Sequence, residues 1–101
     1  MNPGMMKKMQ KMQRDMMKAQ KEIEEAIFTG TAGGGLVTVE VTGTKTINSI
    51  FIKPDIVDPE DVETLEDVMM LALNDAFRQV DEKQQSTMGQ FTQGLSIPGL
   101  F

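Results

Sequence analysis

The sequence of 101 residues contains no cysteine and no histidine. Without cysteine, the chain has no disulfide framework, no thiolate nucleophile and no cysteine metal site, and nothing indicates an oxidising compartment. Without histidine, it lacks the usual general base at neutral pH, the most frequent metal ligand and every Ser-His or Cys-His catalytic pair. We therefore expect a protein that is not an enzyme and that uses no cofactor, metal or small-molecule substrate.

Long apolar stretches are missing as well. No run approaches the roughly 20 apolar residues that a membrane-spanning helix needs. The N-terminus has no apolar core followed by a small-residue cleavage site, as a secretory signal would. We therefore expect a soluble cytoplasmic protein with no membrane span.

Charge is distributed unevenly along the chain. The formal net charge is −5, yet residues 1–21 contain six bases and one acid, a net charge of +5. Residues 22–101 contain the other four bases and fourteen acids, a net charge of −10. A basic segment in an otherwise acidic chain indicates that this segment has a function of its own.

The basic segment has the pattern of an amphipathic helix over residues 3–25, with Asn2 as its cap and Pro3 at its first position. Its apolar residues recur every three or four positions, so they form one line, the methionine seam. The seam consists of Met5, Met9, Met12, Met16, Ala19 and Ile23. Five bases with the same spacing lie about 200° around the helix and form the basic stripe. The stripe consists of Lys7, Lys11, Arg14, Lys18 and Lys21.

Residues 26–53 have the pattern of a three-stranded antiparallel sheet. Valines alternate with mixed residues over residues 36–42, which predicts a strand with one apolar face. A second β-branched run follows over residues 46–52 and ends before Pro54, which cannot donate to a strand ladder. An earlier strand is expected to turn through residues 33–35, three glycines that lack the following helix and lysine of a phosphate-binding loop.

A second helix is predicted over residues 58–85, with Asp58 as its cap and Pro59 in its first turn. Its apolar residues cover an arc of roughly 200°, which is wider than packing on one surface requires. The acids at its start lack the glycine and ligand spacing of a calcium loop. Residues 86–101 are predicted to form a flexible tail, whose apolar end at residues 98–101 either docks on a neighbouring surface or stays disordered.

These elements predict one α+β domain over residues 1–101, an α-β-β-β-α protomer. A three-stranded antiparallel sheet would be flanked by a long N-terminal and a long C-terminal helix. Three strands are only just enough for independent stability, and the second helix has more apolar surface than one sheet covers. We therefore expect a homodimer.

The order and spacing of these features resemble the YbaB/EbfC family of small bacterial nucleoid-associated DNA-binding proteins over nearly the full length. The segments that carry the resemblance are the Met/Gln/Lys-rich first helix, Gly33-Gly34-Gly35-Leu36-Val37, Gly43, Ile52-Lys53-Pro54, Leu65-Glu66-Asp67, Asn74-Asp75-Ala76, and the methionine, glycine and proline of the tail. The resemblance implies a tight homodimer whose helices project as arms and which binds DNA in the nucleoid with little sequence preference. Two departures are Lys53, where the family usually has an acid, and a tail with few prolines.

Three functions remain open from the sequence. The first is a homodimer that binds double-stranded DNA with low sequence specificity and regulates gene expression or organises the nucleoid. Its contacts would be electrostatic. Charge geometry alone nominates Lys7, Lys8, Lys11, Arg14, Lys18 and Lys21 for these contacts.

The second function is a protein-interaction module that docks a partner helix on the methionine seam. The third is a helix that lies on an anionic membrane surface, which is disfavoured because the first helix has no Trp, Phe or Leu anchor. A stripe of bases can also serve only to keep a helix soluble.

Overall fold

The computed structural model describes residues 2–92 of the chain. The elements, in chain order, are helix α1 (Pro3–Glu25), strands β1 (Ile27–Ala32), β2 (Val37–Thr42) and β3 (Ile47–Ile52), and helix α2 (Val62–Thr92). A single 3₁₀ turn at Pro54–Ile56 connects β3 to the approach to α2. The predicted α-β-β-β-α order and the antiparallel sheet are confirmed.

Helix α1 begins as its sequence predicts and meets the sheet only at its other end. The side chain of Asn2 accepts a hydrogen bond of 2.8 Å from the backbone N–H of Met5, which satisfies one free donor of the first turn. Ile23 is the buried residue of this helix. A Cβ atom at Gly43 would overlap the carbonyl oxygen of Ile23, so the absence of a side chain there lets the helix end touch the sheet.

The sheet has the strand order β1-β2-β3, with β2 in the centre. The three glycines between β1 and β2 have positive φ angles of 66°, 69° and 89°, a backbone region that favours glycine. Val37, Val39 and Val41 of β2 are fully buried on one face of the sheet. The predicted alternation of this strand is therefore the origin of the core.

Helix α2 packs on that valine face, directly above β1 and β2. Ala72 and Ala76 are fully buried there. The helix comes so close that a Cβ at Gly30 would overlap the carbonyl oxygen of Ala72. Because α2 sits over β1 and β2, Ile50 of β3 is 41% exposed, although it lies opposite the buried Val39.

Helix α2 begins at Val62, four residues after the predicted start at Asp58. Asp61 caps the helix, because its carboxylate accepts hydrogen bonds from the backbone N–H and the hydroxyl of Thr64, at 3.3 and 2.6 Å. Asp58 instead accepts a 2.9 Å hydrogen bond from the N–H of Glu60, within a turn that precedes the helix. The predicted cap at Asp58 is therefore wrong, because Asp61, which is adjacent to the first helical residue, caps the helix.

Helix α2 also ends later than predicted, at Thr92 instead of residue 85. Its additional turns lie beside α1, where Met88 and Phe91 line a groove together with Met16. This contact stabilises a helix whose polar sequence and Gly89 have weak intrinsic helix preference. The predicted docking or disorder of residues 98–101 concerns residues outside the described range.

Candidate nucleic-acid interface

The last turns of α2 and the second half of α1 form an antiparallel helix pair. One groove between the helices is lined by Ile23 and Lys83, and the next by Met16 and Phe91. Residue numbers fall along α1 as they rise along α2, so the two helices run in opposite directions. The methionine seam therefore has an inner part that faces α2 and an outer part beyond the described end of α2.

The bases of α1 lie on the outside of this helix pair. All six nominated side chains are exposed, and they are Lys7, Lys8, Lys11, Arg14, Lys18 and Lys21. Five of them form the basic stripe, since their spacing keeps them within about 80° on the helix surface. Lys8 follows Lys7 by one residue and lies about 100° away, toward one side of the stripe.

One acid interrupts this basic surface. The Nζ of Lys11 lies 3.3 Å from the carboxylate of Asp15 one turn later, and the two side chains are 74% and 49% exposed. An exposed pair of this spacing contributes only about 0.3–0.5 kcal/mol. Lys11 can therefore exchange this carboxylate for another anion at small cost. Within residues 2–92, the other five bases of α1 take part in no ion pair.

Two of the four bases outside α1 are in different surroundings. Lys45 pairs with Asp81 at 2.8 Å. Arg78 pairs with both Asp75 and Glu82, one helical turn away on either side. These bases are partly neutralised by neighbouring carboxylates, whereas the stripe on α1 has one acid among five bases. The described residues thus concentrate their unpaired positive charge on α1.

The acids around Arg78 have a structural role at the free edge of β1. The carboxylate of Asp75 accepts a 3.1 Å hydrogen bond from the backbone N–H of Thr31. That hydrogen bond, together with Arg78, holds the pKa of Asp75 below its ordinary value. The hydrogen bonds of Arg78 with Glu82 and Asp75 raise the pKa of the guanidinium. This edge contact therefore favours the ionised form of the Asp75 carboxylate.

Sequence reasoning missed this edge network, although the triplet Asn74-Asp75-Ala76 is part of the family resemblance. The side-chain amide of Gln79 donates to the carbonyl of Thr29 at 2.8 Å, across 50 residues of chain. Asp75 and Gln79 lie at one border of the apolar arc of α2, and these polar residues beside buried ones were the one available signal. They indicated a polar contact but not its partner.

The outer part of the methionine seam is exposed. Met5 and Met9 are each 55% exposed, and Met6 beside them is 49% exposed. Met9, Met12 and others line an open apolar groove along this helix surface. The groove lies on the side of α1 opposite the basic stripe, so one helix presents two chemically different surfaces.

Residues 2–92 contain neither a metal-binding cluster nor a membrane-spanning helix. They contain no cluster of three or more acidic, histidine or cysteine side chains with the geometry to hold a metal ion. None of the described helices combines the length and apolar character that crossing a bilayer requires.

Comparisons with known proteins agree on one family. A family model described as the YbaB/EbfC DNA-binding family matches residues 1–95. A nucleoid-associated protein of Oceanobacillus iheyensis is 53% identical over 98 residues, covering 97% of this chain and 94% of the relative. A nucleoid-associated protein of Listeria monocytogenes is 54% identical over 97 residues, covering 96% and 92% of the two chains.

A solved structure has the same fold. The crystal structure of an uncharacterized protein from Helicobacter pylori superposes with a TM-score of 0.71 at 23% sequence identity. The match covers 89% of this chain and 96% of the other. The helix, three-stranded sheet and second helix are therefore an arrangement that exists in an experimentally determined protein.

Proposed function

The chain belongs to the YbaB/EbfC DNA-binding family, and from that membership we propose that it binds double-stranded DNA as a homodimer with low sequence specificity. We place it in the cytoplasm, on the nucleoid, where it organises DNA or regulates gene expression, because its relatives are named nucleoid-associated proteins. Family membership also favours a DNA-binding protein over an enzyme.

The observation that carries the proposal is the exposed basic surface of α1. Lys7 and Lys21 mark its ends, about 21 Å apart at 1.5 Å per residue. Duplex DNA carries about one negative charge per 1.7 Å of its axis, so a stripe of this length passes several phosphates. Side chains that contact phosphates position a protein on the duplex without reading its sequence. Low specificity follows from this chemistry.

The homodimer is supported by apolar surface that one protomer leaves uncovered. Phe51 is 60% exposed on β3, and Met70 and Leu71 are 56% and 61% exposed on α2. Exposed apolar residues in this number on a small domain are typical of an interaction surface. A second copy would also supply a second basic stripe, which doubles the phosphate contacts available to one assembly.

The test changes Lys11, Arg14 and Lys18 together to glutamine. Affinity should fall by a similar factor for duplexes of unrelated sequence, because phosphate contacts carry no base information. The slope of log K against log salt should flatten by about 0.9 for each phosphate contact that is lost. Fluorescence anisotropy at several salt concentrations measures both quantities, and circular dichroism checks the fold.

A matched control removes the same charge elsewhere. Lys45, Lys53 and Lys83 are exposed bases outside α1, and changing all three to glutamine lowers the net charge equally. This control should keep most of the affinity and the salt slope of the unchanged protein. Equal losses in the two triple variants would show a response to net charge alone, and the assignment of the contacts to α1 would be wrong.

A second candidate function is the docking of a partner helix on the methionine seam. The open groove beside Met9 and Met12 favours it, because unbranched thioether side chains adapt to varied apolar partners. Changing these two residues to glutamine separates the candidates. DNA affinity should persist in this variant if the basic stripe acts alone, and a loss of partner binding with intact DNA binding would favour the second function.

A further inference from the structure

The methionine seam of α1 is covered along its inner part and open along its outer part. The last turns of α2 lie against the inner part, where Phe91 is partly buried and lines a groove with Met16 and Met88. Beyond this point, Met5 and Met9 are each 55% exposed. Because the seam is one continuous line on the helix, its outer part continues a surface that α2 already covers.

The open groove begins where the covered groove ends. Met16 lines both grooves, and the open one extends from Met16 past Met12 to Met9. Gln10 and Gln13, which carry no charge, also line it. The groove therefore suits an occupant that is apolar and uncharged, since a charged group placed there would lose its hydration without gaining a partner.

The end of α2 points along the open groove. Because α2 runs antiparallel to α1, Lys83 lies at the level of Ile23, and Phe91 lies at the level of Met16. The helix ends at Thr92. The chain that follows Thr92 therefore starts at the inner end of the open groove.

Residues 93–101 have the composition that this groove suits. They contain no charged side chain, and their large apolar residues are Leu95, Ile97, Leu100 and Phe101. The uncharged stretch begins at Gln84, within the part of α2 that lies on the seam. Residues 93–101 thus continue the composition of a segment that already contacts α1.

We propose that residues 93–101 pack in the open groove on α1 of their own chain. The segment would continue the antiparallel course of α2 and cover Met12, Met9 and Met5. It would add to the capping and periodicity that hold the outer half of α1. This inference depends neither on the proposed DNA binding nor on the homodimer. It gives to the chain itself the groove that the second candidate function gives to a partner helix.

The length of the segment matches the length of the groove. Met5 lies about 16 Å from Met16 along the axis of α1, at 1.5 Å per residue. Ile97 precedes Pro98, and a residue before proline favours extended backbone over the helical region. An extended chain that leaves Thr92 places Ile97 about 16 Å away. Ile97 would therefore lie near Met5, at the outer end of the seam.

The spacing of the apolar side chains also fits. Side chains two positions apart in an extended segment point to the same side, about 6.6 Å apart, so Leu95 and Ile97 form one apolar side. Methionines one turn apart on α1, such as Met5 and Met9, lie about 6 Å apart. Alternate side chains of the segment can therefore enter between successive methionines.

A reversal of the chain is indicated just after Ile97. Proline followed by glycine is favoured at the two central positions of a type II turn, and Pro98-Gly99 is such a pair. A turn at the outer end of the groove would direct Leu100 and Phe101 back over the methionines instead of past the start of α1. All four large apolar residues of the segment would then contact the seam.

The first test is cross-linking between two introduced thiols, which is specific because the natural chain has no cysteine. A short bis-maleimide should join Ile97→Cys to Met5→Cys within one chain. The matched control combines Ile97→Cys with Lys7→Cys, two residues along the helix but about 200° around it. The Met5 pair should react at least about tenfold faster, because docking raises the effective concentration of the thiol at that site alone.

The position of the link decides the result. Peptide mass spectrometry locates it, and a denaturing gel shows whether it joins one chain or two. Equal reaction rates in the two double variants would mean that the segment is not held on the seam. Links between two chains that persist on dilution would place the segment on another copy. Either result would overturn the proposal.

The second test uses amide hydrogen exchange and needs no thiol. Ile97→Ser should speed exchange around Met9 by about tenfold, which corresponds to about 1.4 kcal/mol, because the outer half of α1 loses apolar cover. Val57→Ser is the matched control, since Val57 is an apolar residue, 55% exposed, that follows the 3₁₀ turn. It should leave exchange in α1 unchanged. Exchange around Ala72 should stay slow in both variants and verifies the fold.

Unchanged exchange around Met9 in the Ile97→Ser variant would overturn the proposal and leave the groove to a partner helix. The groove and the basic stripe lie on opposite sides of α1. DNA binding is therefore measured independently, and either proposal can fail without the other.

Discussion

Two regions of the molecule, the outer half of α1 and the sheet with α2, are stabilised by different interactions. The sheet and α2 share fully buried valines and alanines and are tied further by side-chain hydrogen bonds to β1. The outer half of α1 carries exposed bases and methionines. The helix joins the body through its second half, where Ile23 is buried and Met16 lies beside Phe91 of α2. The body therefore owes its stability to long-range packing, and the outer helix half owes its conformation to capping and to its own periodicity. Three changes, from the most to the least disruptive, test this separation.

The largest effect is expected where α2 approaches the sheet. Gly30→Ala would place a Cβ against the carbonyl oxygen of Ala72 and 2.6 Å from the backbone nitrogen of Ala76. Because backbone atoms cannot rotate away, α2 must shift, and the free energy of unfolding should fall by about 1–3 kcal/mol or more. Urea denaturation followed by circular dichroism measures the loss.

The control for this prediction is Gly89→Ala on the outer end of α2. No heavy atom lies within 4 Å of a Cβ built there, and alanine favours a helix over glycine by roughly 0.5–1 kcal/mol. The control should be as stable as the natural protein or slightly more stable. A Gly30→Ala variant as stable as this control would mean that α2 does not pack closely on β1.

A smaller effect should follow acidification of the β1 edge. The pKa of Asp75 is lowered in the folded protein, first by the N–H of Thr31 and then by Arg78. A lowered folded-state pKa contributes stability that is present above the unfolded pKa of about 3.9 and is lost as the pH falls through the folded value. Asp75→Asn should therefore lose less stability than the natural protein between pH 7 and pH 3.

Thermal unfolding measures the stability of the natural protein and of the Asp75→Asn variant across this pH range. The difference between the two stabilities gives the contribution of the Asp75 carboxylate alone, because all other acids are the same in both proteins. Parallel loss in both proteins would mean that Asp75 does not hold the β1 edge.

The smallest effect is expected from the single acid within the basic surface. Asp15→Asn removes the exposed partner of Lys11 and should change the free energy of unfolding by no more than about 0.5 kcal/mol. DNA affinity should rise modestly, because one negative charge leaves the surface of α1 that we propose contacts phosphates. Anisotropy at low salt detects the gain, which should disappear at high salt. Weaker binding instead would show that Asp15 orders the stripe.

The same separation explains which features could be predicted from the sequence. The helical spacing of Met5 to Ile23 and the alternation of Val37, Val39 and Val41 are local patterns, and local patterns predicted α1 and the sheet. The basic stripe could be placed for the same reason, and its contact with DNA remains a prediction.

The features that sequence reasoning missed depend on distant contacts. The end of α2 is set by packing on α1, and the β1 edge is closed by residues 44 and 50 positions away. The cap at Asp61 was missed because Asp58 and Asp61 offer the same chemistry within one turn. Periodicity carries no information on such pairings, because it describes one segment at a time.

The backbone contact between Gly43 and Ile23 has a consequence for how a pair of protomers would span DNA. A contact made by two backbones has no rotatable side chain to absorb a change, so the end of α1 is held close against the turn that follows β2. In the proposed dimer, two such contacts would fix the distance between the α1 helices of the two protomers. The width of the duplex that fits between them would then be determined in the sheet, far from any residue that touches a phosphate.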